Sequence, residues 1–300
     1  MSCPVCGGAG PFAAVERHGR FVLHLCAGCD VQFADPMEEA GRDFYERHEL
    51  YCGPETLFTS PRLLNWDQRM FLRDRPAPGG ALLDVGCGAG QFAEAARRAG
   101  YRVTGLDLSR SQLELARRRF PLVAFHAMTL ADFAPTAGRV FDVVTAFQVL
   151  EHVARPAALV AEARRRLAPG GYFAVGVPAW RAWKALRDPL DAPPNHLTRW
   201  SRASLVGALE RGGFEVLRVR EHRSVYGFLL RHLRLGLLRR LMRRAARSGT
   251  AGTASPGAAV LGLSIARARV LAAVDVPAGA LLGMLRAPGV TLYALARVTR

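Results

Sequence analysis

The sequence predicts an α/β protein in which a largely parallel sheet follows a small cysteine-rich unit. Three observations lead to this prediction. A strand, a glycine-rich loop, a helix and a second strand follow one another within residues 82–109. Apolar, strand-like segments then alternate with helical ones to residue 219, which is the pattern of a sheet covered by helices. Two C-x-x-C pairs lie ahead of these elements, near the N-terminus.

The cysteine-rich unit is predicted to span residues 1–38, with strands over 21–25 and 31–33. Zinc takes four ligands at the corners of a tetrahedron, and two close cysteine pairs joined by a hairpin supply them. The expected ligands are Cys3, Cys6, Cys26 and Cys29. Two disulfides or loose thiols are the alternative, and a reducing compartment favours metal over disulfides. The unit carries more acidic than basic residues, so it is a poor candidate for binding nucleic acid.

Residues 39–78 are predicted to form a helical linker, with helices over 38–51 and 61–73. Four aromatic residues of this stretch could cover a bound cofactor or pack the helices onto the next domain, and packing is the favoured interpretation. These residues are Tyr45, Tyr51, Phe58 and Trp66.

Residues 82–109 read LLDVGCGAGQFAEAARRAGYRVTGLDLS and have the order of a β-α-β nucleotide-binding unit. Alternating glycines follow the first strand, where they let the backbone turn sharply and let a ligand approach it closely. The second strand ends in Asp107, whose carboxylate is placed to accept hydrogen bonds from ribose hydroxyls. A dinucleotide fingerprint needs G-x-G-x-x-G, but Gln91 occupies the third glycine position. A strand, turn and helix with incidental glycines is the alternative.

The core is predicted to comprise residues 79–223 and 289–300. Ser109 is expected to cap a helix, and the sequence Pro169-Gly170-Gly171 is expected to end another. Strands are predicted over 82–85, 102–106, 122–125, 140–147, 172–177, 214–219 and 290–298, and helices over 91–98, 109–119, 156–167 and 201–211.

The spacing G-x-G-x-G, with an acid two residues before it, resembles motif I of the class I S-adenosylmethionine-dependent methyltransferases. FDVVTAFQVLEHVARP and RRRLAPGGYFAVGVP resemble motifs IV and V of that family. The resemblance implies a Rossmann-like, seven-stranded sheet of order 3-2-1-4-5-7-6 whose seventh strand, at 290–298, is antiparallel. The chain is also similar to a bacterial group that joins a zinc ribbon to this core and methylates glycans, lipids or secondary metabolites.

S-adenosylmethionine is the cofactor that the resemblance implies. The residues expected to contact it are Asp84, Gly86, Cys87, Gly88, Gly90, Asp107, Leu108, Ala127, Met128, Phe147 and Gln148. The chain departs from the family after the third strand, where an Asp often binds the adenine amine and where His126 is followed here by Ala127 and Met128. Backbone groups near Ala127 and Met128 are expected to bind adenine instead, since Asp132 comes too late.

Methyl transfer to a hydroxyl needs a base near the carboxyl end of the fourth strand. His152 is the candidate base, since imidazole titrates near neutral pH, and Glu151 precedes it. Equally, this pair could fix the loop and cap the next helix. His196, in PPNHLTRWS, could line the acceptor pocket or be a satisfied loop residue. Ubiquinone-type O-methyltransferases carry E-x-x-E-H, which helps bind a divalent ion, but Gln148 replaces the first acid, so no catalytic metal is predicted.

Residues 224–288 are predicted to form a basic, Leu-rich helical insertion between the sixth and seventh strands. From residue 224 to residue 300, twelve arginines accompany a single acid, Asp275. No run is long and apolar enough for a span, so the insertion either lies on an anionic membrane surface or packs as a cap on the sheet or a second subunit. Much of the net charge of +16 lies here, which makes that charge weak support for nucleic-acid binding.

These features favour an O-methyltransferase that acts on a small-molecule, glycan or lipid-linked acceptor. No signal peptide is visible, which predicts a cytoplasmic protein, peripheral on the membrane if the insertion binds lipid. An RNA methyltransferase is the first alternative, although the acidic ribbon and the absence of an N-P-P-Y loop after the fourth strand count against it. A non-catalytic, membrane-associated adaptor that keeps the fold is the second, and the intact Asp84, glycines and Asp107 count against it.

Overall fold

The computed structural model describes residues 1–41, 44, 64–133, 141–180, 191–222 and 290–299. The strands are β1 (Ala13–His18), β2 (Phe21–Cys26), β3 (Val31–Asp35), β4 (Ala81–Val85), β5 (Arg102–Asp107), β6 (Ala124–Ala127), β7 (Phe141–Phe147), β8 (Leu167–Pro178), β9 (Thr198–Arg199), β10 (Phe214–His222) and β11 (Thr291–Val298). The helices are α1 (Trp66–Asp74), α2 (Gln91–Arg98), α3 (Arg110–Arg119), α4 (Pro156–Arg166) and α5 (Arg202–Arg211).

The larger sheet has seven strands in the order β10-β11-β8-β7-β4-β5-β6. When its strands are counted from β4 along the chain, this is the predicted order 3-2-1-4-5-7-6, which is confirmed. Strand β4 runs parallel to β5 and β7, whereas β11 is antiparallel to both of its neighbours. The carboxyl ends of β4, β5 and β7 therefore meet at one edge, where a doubly wound sheet binds its ligand.

The central elements begin and end close to their predicted limits, with three differences. Strand β6 starts at Ala124 rather than at residue 122, because Leu122 lies exposed in a turn. Strand β8 already starts at Leu167, so the predicted helix stop lies within it. Gly170 there has a φ of 75° and the pairing of β7 with β8 shifts register, so the glycines bend the strand rather than end a helix. Strand β10 extends past residue 219 to His222, because β11 continues to pair with it.

The smaller sheet has the order β1-β2-β3-β9. Strands β2 and β3 confirm the predicted ribbon hairpin, whereas β1 and β9 were not expected. Strand β9 follows β3 by more than 160 residues in the chain, and its Thr198 and Arg199 pair with Phe33 and Gln32 of β3. Cys26 and Phe33 of the ribbon belong to the same buried apolar cluster as Val144 and Phe173 of the larger sheet. The ribbon is therefore packed on the core and joined to it by backbone pairing.

The predicted linker differs from the structure at its start. Residues 38–41 are not helical, and two of their side chains hold this segment on the ribbon and on the core. Glu38 pairs with Arg20, and Glu39 accepts a hydrogen bond from the Ala154 N–H at 2.8 Å. Apart from Phe44, the rest of the predicted helix 38–51 lies outside the described residues.

The second linker helix is α1. Its Trp66 stacks on His222 of β10 with ring centroids 5.0 Å apart, so this aromatic residue packs against the sheet. Tyr45, Tyr51, Phe58 and the predicted insertion 224–288 lie outside the described residues. Among the helices that are described, none combines the length and apolar character needed to cross a bilayer.

Candidate active site

The glycine loop after β4 is shaped by three glycines with positive φ: Gly86 at 72°, Gly88 at 51° and Gly90 at 81°. A Cβ on Gly86 would lie 2.5 Å from Val149, and one on Gly90 would lie 2.8 Å from Phe125. A Cβ on Gly88 would meet nothing within 4 Å. The outer glycines are thus required by packing, while Gly88 borders open space in which a ligand can approach the backbone.

Asp107 ends β5 beside this loop. One carboxylate oxygen accepts the Gly88 N–H at 2.7 Å and the other accepts the Ser109 N–H at 2.8 Å. Burial raises the pKa of Asp107, although these N–H donors act in the opposite direction. A carboxylate oxygen can accept more than one hydrogen bond, so half-buried Asp107 can hold the loop and still bind ribose hydroxyls. Leu108, also half-buried, follows it in the chain.

Asp84, on β4, is a second buried acid at this edge. Its Oδ1 accepts a hydrogen bond from the Thr145 hydroxyl at 2.8 Å, while its Oδ2 is buried and has no partner among the described residues. Burial raises the pKa of Asp84 to about 7, and the charge of Asp107 adds to this shift. An acid left with an unsatisfied oxygen beside the loop fits a cofactor that carries positive charge, as S-adenosylmethionine does.

The other predicted cofactor residues fall into two groups. Ala127 pairs in register with Asp107, and Met128 follows it, so the residues expected at adenine lie beside the residue expected at ribose. Cys87 and Phe147 instead direct their side chains into the core. The Cys87 side chain is buried, and the Phe147 ring packs on Phe92 with centroids 4.9 Å apart. Cys87 and Phe147 could therefore contact a cofactor only through their main-chain atoms.

Gln148 follows β7 with a φ of 58°, and its Nε2 donates to Asp67 Oδ2 at 2.8 Å. Asp67 lies on α1, fully buried, and burial raises its pKa to about 6. A Cβ on Gly176 would lie 1.9 Å from that Asp67 oxygen. Sequence analysis missed Asp67. The available signal was Gly176, since a glycine within an apolar strand often marks the close approach of another group.

The residues that follow β7 and the loop before β9 form a polar cluster of Glu151, His152 and His196. The His152 and His196 ring centroids are 4.8 Å apart, and His152 Nε2 lies 3.9 Å from Glu151 Oε1. His152 Nδ1 donates to the Asn195 carbonyl at 2.7 Å, and His196 Nδ1 lies 3.1 Å from Asp191 Oδ1. One donor atom from each cluster residue lies within 4.8 Å of the others, so this set could also hold a metal ion.

Burial dominates the electrostatics of the cluster. It raises the pKa of Glu151 well above its usual range, with the charges of Asp67 and Asp191 adding to the shift. It lowers the pKa of His152 to about 3, with His196 adding to that shift. At neutral pH His152 is thus neutral, and burial favours the protonated form of Glu151. Both Glu151 oxygens are buried without a partner in the described part of the chain.

The structural alternative for Glu151 and His152 holds only in part. Helix α4 begins at Pro156 with Arg155 at its N-cap and no side-chain cap, so neither residue caps it. His152 does fix the loop, through its hydrogen bond to Asn195.

The loop that carries His196 is attached to the ribbon. The Glu151 carbonyl accepts the Leu197 N–H at 2.7 Å, and the Leu197 carbonyl accepts the Ala34 N–H of β3 at 2.8 Å. A ribbon strand, the loop that carries His196 and the end of β7 are therefore joined by consecutive backbone hydrogen bonds.

The four ribbon cysteines are unbridged thiols, so the alternative of disulfides is not what the structure shows. The Sγ atoms of Cys3 and Cys29 are 3.7 Å apart, as are those of Cys6 and Cys26, and all four lie within 4.8 Å of one another. Four sulfurs about 2.3 Å from a central zinc would be about 3.8 Å apart. The arrangement fits a tetrahedral zinc site.

Comparison with known proteins accords with this geometry. A sequence family described as "Methyltransferase domain" matches residues 58–219, more than half of the chain. The chain belongs to this methyltransferase family. The match covers the glycine loop, Asp107 and the Glu151–His152 pair, and it accords with the class I S-adenosylmethionine-dependent methyltransferase motifs in the sequence.

Curated relatives match part of the methyltransferase. A ubiquinone biosynthesis O-methyltransferase of Thiobacillus denitrificans is 41% identical over 101 residues, or 32% of this chain and 44% of that protein. A probable S-adenosylmethionine-dependent methyltransferase of Mycolicibacterium smegmatis is 37% identical over 139 residues, or 46% of this chain and 53% of that protein. The methyltransferase spans about half the length of the curated relatives it matches.

Among solved structures, phosphoethanolamine N-methyltransferase 2 of Haemonchus contortus, in complex with S-adenosyl-L-methionine, is similar with a TM-score of 0.54. The similarity covers 86% of this chain and 60% of that chain at 18% sequence identity. At that identity, it shows that the two proteins share a fold.

Proposed function

We propose that the protein transfers a methyl group from S-adenosylmethionine to a hydroxyl group of a small-molecule, glycan or lipid-linked acceptor. The observation that carries the proposal is the cluster of Glu151, His152 and His196 at the carboxyl end of β7. The cofactor supplies a methyl group made electrophilic by a sulfonium. Bound here, it would pass that methyl group to the acceptor oxygen and leave as a neutral thioether, while a histidine of this cluster would take the hydroxyl proton.

The chain's own residues bind and orient the reactants. Asp107 and the main chain of Gly88 would hold the ribose side of the cofactor, and Asp84 would offer its unpartnered oxygen to a positive group. Gln148, held by Asp67, would contact the cofactor after β7. Such fixed placement matters, because in-line displacement depends on the alignment of oxygen, methyl carbon and sulfur.

Charge favours a small or lipid-linked acceptor over RNA. The ribbon's Arg20 is paired with Glu38, so it does not leave an unpaired cation for a phosphate. Arg199, which lies where the ribbon meets the core, is buried and paired with Glu16.

The experiment is methyl transfer by the purified full chain from methyl-tritiated S-adenosylmethionine to separate fractions of small molecules, lipids, glycans and RNA. We expect label in one of the first three and a fall in kcat of about a hundredfold or more in His196→Ala, with cofactor affinity retained. The matched control is Asp132→Asn, an exposed acid at the same edge of the sheet. Label confined to RNA would support the alternative enzyme, and no transfer despite cofactor binding would support an adaptor.

We further infer that Cys3, Cys6, Cys26 and Cys29 hold a structural zinc. The sulfur separations of 3.7 Å and the absence of disulfides among these cysteines support it. Zinc at this position would fix two knuckles of the ribbon that packs against the acceptor loop.

We also propose that the insertion 224–288 places the enzyme on an anionic membrane surface, for which its arginine content is the support. The insertion leaves from and returns to neighbouring residues, since the Val290 N–H donates to the His222 carbonyl at 2.7 Å. Because β11 is antiparallel to both β8 and β10, His222 ends β10 at the same edge of the sheet as the carboxyl end of β7, where we propose that the acceptor binds.

Flotation with vesicles of anionic or neutral lipid tests the membrane proposal, using the full chain and a variant in which 224–288 is replaced by a short Gly-Ser linker. We expect salt-sensitive binding of the full chain to anionic vesicles only. Equal flotation of both proteins would contradict the proposal.

A further inference from the structure

Arg199 lies between the ribbon and the histidine cluster, and its guanidinium makes ionic contacts in both directions. Its Nη1 donates to Glu16 Oε2 of β1 at 2.6 Å. Its Nε lies 2.9 Å from Asp191 Oδ2, and its Nη2 donates to the Asp191 carbonyl at 2.7 Å. Asp191 in turn accepts from His196 at 3.1 Å. The four residues form one continuous chain of contacts that ends at the acceptor side of the enzyme.

The burial of these residues indicates that the contacts are more than a surface ion pair. The Arg199 side chain is 6% exposed and that of Asp191 is 4% exposed, whereas Glu16 is 43% exposed. A buried carboxylate and guanidinium have left water, so each depends on the other for its hydrogen bonds. The outer contact to Glu16 is screened by solvent and contributes less.

The contact between Asp191 and His196 determines which nitrogen of the ring carries the proton. A carboxylate only accepts, so Nδ1 must be the protonated nitrogen and Nε2 keeps its lone pair. A carboxylate so placed also stabilises the imidazolium that forms when Nε2 gains a proton. His196 is thus prepared to take the acceptor's proton, as long as Asp191 keeps its position.

We propose that Arg199 is a positioning residue that acts through Asp191, holding His196 in the tautomer that accepts the acceptor's proton and linking this pair to the ribbon. The proposal rests on the proposed function, because it assigns the proton to His196. Burial lowers the pKa of His152, the base favoured by sequence analysis, to about 3, and its Nδ1 is used in the hydrogen bond to the Asn195 carbonyl, so His152 is a poor base at neutral pH.

Arg199 is suited to this role by its geometry. Its planar fork reaches the Asp191 side chain, the Asp191 carbonyl and Glu16 at the same time, which the single ammonium of a lysine cannot do. Strand β9 holds the residue in register, because Arg199 pairs with Gln32 of β3. The backbone therefore fixes the guanidinium between the ribbon and the loop.

The first test needs no acceptor. Long-range proton–nitrogen correlation spectra of the full chain, labelled with ¹⁵N-histidine and saturated with S-adenosylhomocysteine, report the tautomer of His196. We expect the Nδ1–H tautomer in the wild type and a mixture of tautomers in Arg199→Lys and Asp191→Asn. Arg202→Lys, which changes an exposed arginine three positions along the chain, should leave the spectrum unchanged.

A wild-type His196 protonated on Nε2, or a tautomer unaffected by both variants, would overturn the proposal. The wild-type spectrum still tests the predicted Nδ1–H tautomer of His196 where a variant fails to fold. These results are independent of methyl transfer, so a failure of the proposed function is distinguishable from a failure of this one.

The second test uses the acceptor fraction that becomes labelled in the transfer assay. We expect Arg199→Lys to lower kcat about tenfold or more with cofactor affinity unchanged, and to cause no further loss in a His196→Ala background. A purely structural role predicts equal losses in both backgrounds, and that outcome would refute action through His196.

Discussion

The carboxylate of Asp107 accepts the backbone N–H of Gly88 at 2.7 Å, so the acid that ends β5 also holds the glycine loop that follows β4. Two features that sequence motifs treat as separate, the loop and the ribose acid, are therefore one structural unit. We therefore expect a change at Asp107 to affect cofactor binding twice, through the lost contact to ribose and through the loop that Asp107 holds.

Asp107→Ala should weaken S-adenosylmethionine binding about ten- to a hundredfold in titration calorimetry. The estimate follows from losing charge-assisted hydrogen bonds of roughly 1.5–3 kcal/mol. Asp132→Asn is the control, since this exposed carboxylate accepts from Thr129 and is not expected to bind adenine. Wild-type affinity in Asp107→Ala would remove Asp107 from the cofactor site.

Gly176→Ala should destabilise the protein by about 1–3 kcal/mol, measured by chemical denaturation. The new Cβ would lie 1.9 Å from Asp67 Oδ2 and force apart the Asp67–Gln148 hydrogen bond. Gly41→Ala, where a Cβ meets nothing within 4 Å and φ is not positive, should change stability by less than about 0.5 kcal/mol. The Gly176 penalty should shrink in an Asp67→Ala background, and equal penalties in both backgrounds would contradict this explanation.

Asp84 should make the cofactor-free protein less stable as pH rises from about 4 to about 7. Its folded-state pKa of about 7 exceeds the unfolded value of about 3.9, so the folded state binds more protons in that range. Above about pH 7 Asp84 is ionised in the folded state as well, and the full free-energy cost of burying its charge then lowers the stability. Asp84→Asn keeps an acceptor for Thr145 without the charge, and thermal melts should show a shallower loss of stability with pH. Asp67 contributes a slope of the same sign, so part of the dependence will remain. A variant with an unchanged slope would show that Asp84 is ionised at low pH in the folded state.

The ribbon should retain one zinc per chain when the protein is purified without chelator, as measured by elemental analysis. Cys3→Ser and Cys26→Ser should lose the metal and lower the melting temperature, because metal binding contributes directly to folding. Cys87→Ser should keep it, since that thiol is buried beside Gly105 in the core. Zinc content that is nil in the wild type, or that falls equally in Cys87→Ser, would contradict the assignment.

Local pattern was sufficient for much of the fold. Strands β4 and β7 are mostly apolar, the glycine loop has a fixed spacing, and Ser109 caps α3 as predicted by accepting the Gln112 N–H. These features depend on neighbours in sequence, so sequence alone specifies them. The order of the larger sheet followed from the family resemblance and was confirmed.

The features that were missed depend on distant partners. Strand β9 is only two residues long, too short for any periodicity, and it exists because β3 pairs with it. Asp67 is a charged residue in the first turn of a helix, a position that pattern analysis assigns to solvent. Asp191 and Arg199 stabilise each other only after the loop has folded back on the ribbon. The convergence of Glu151, His152 and His196 likewise required the tertiary structure, although each residue was a candidate by itself.

The pairing of Phe33 with Thr198 has a consequence for synthesis of the chain. A ribosome adds about 5–20 residues per second, so roughly ten to thirty seconds separate the emergence of β3 from that of the strand that completes its sheet. During that interval the nascent ribbon has an open strand edge, although its cysteines are already available to capture a metal. Nascent chains arrested on the ribosome before residue 198 has emerged should therefore bind chaperones. Chains arrested after β9 has emerged should not.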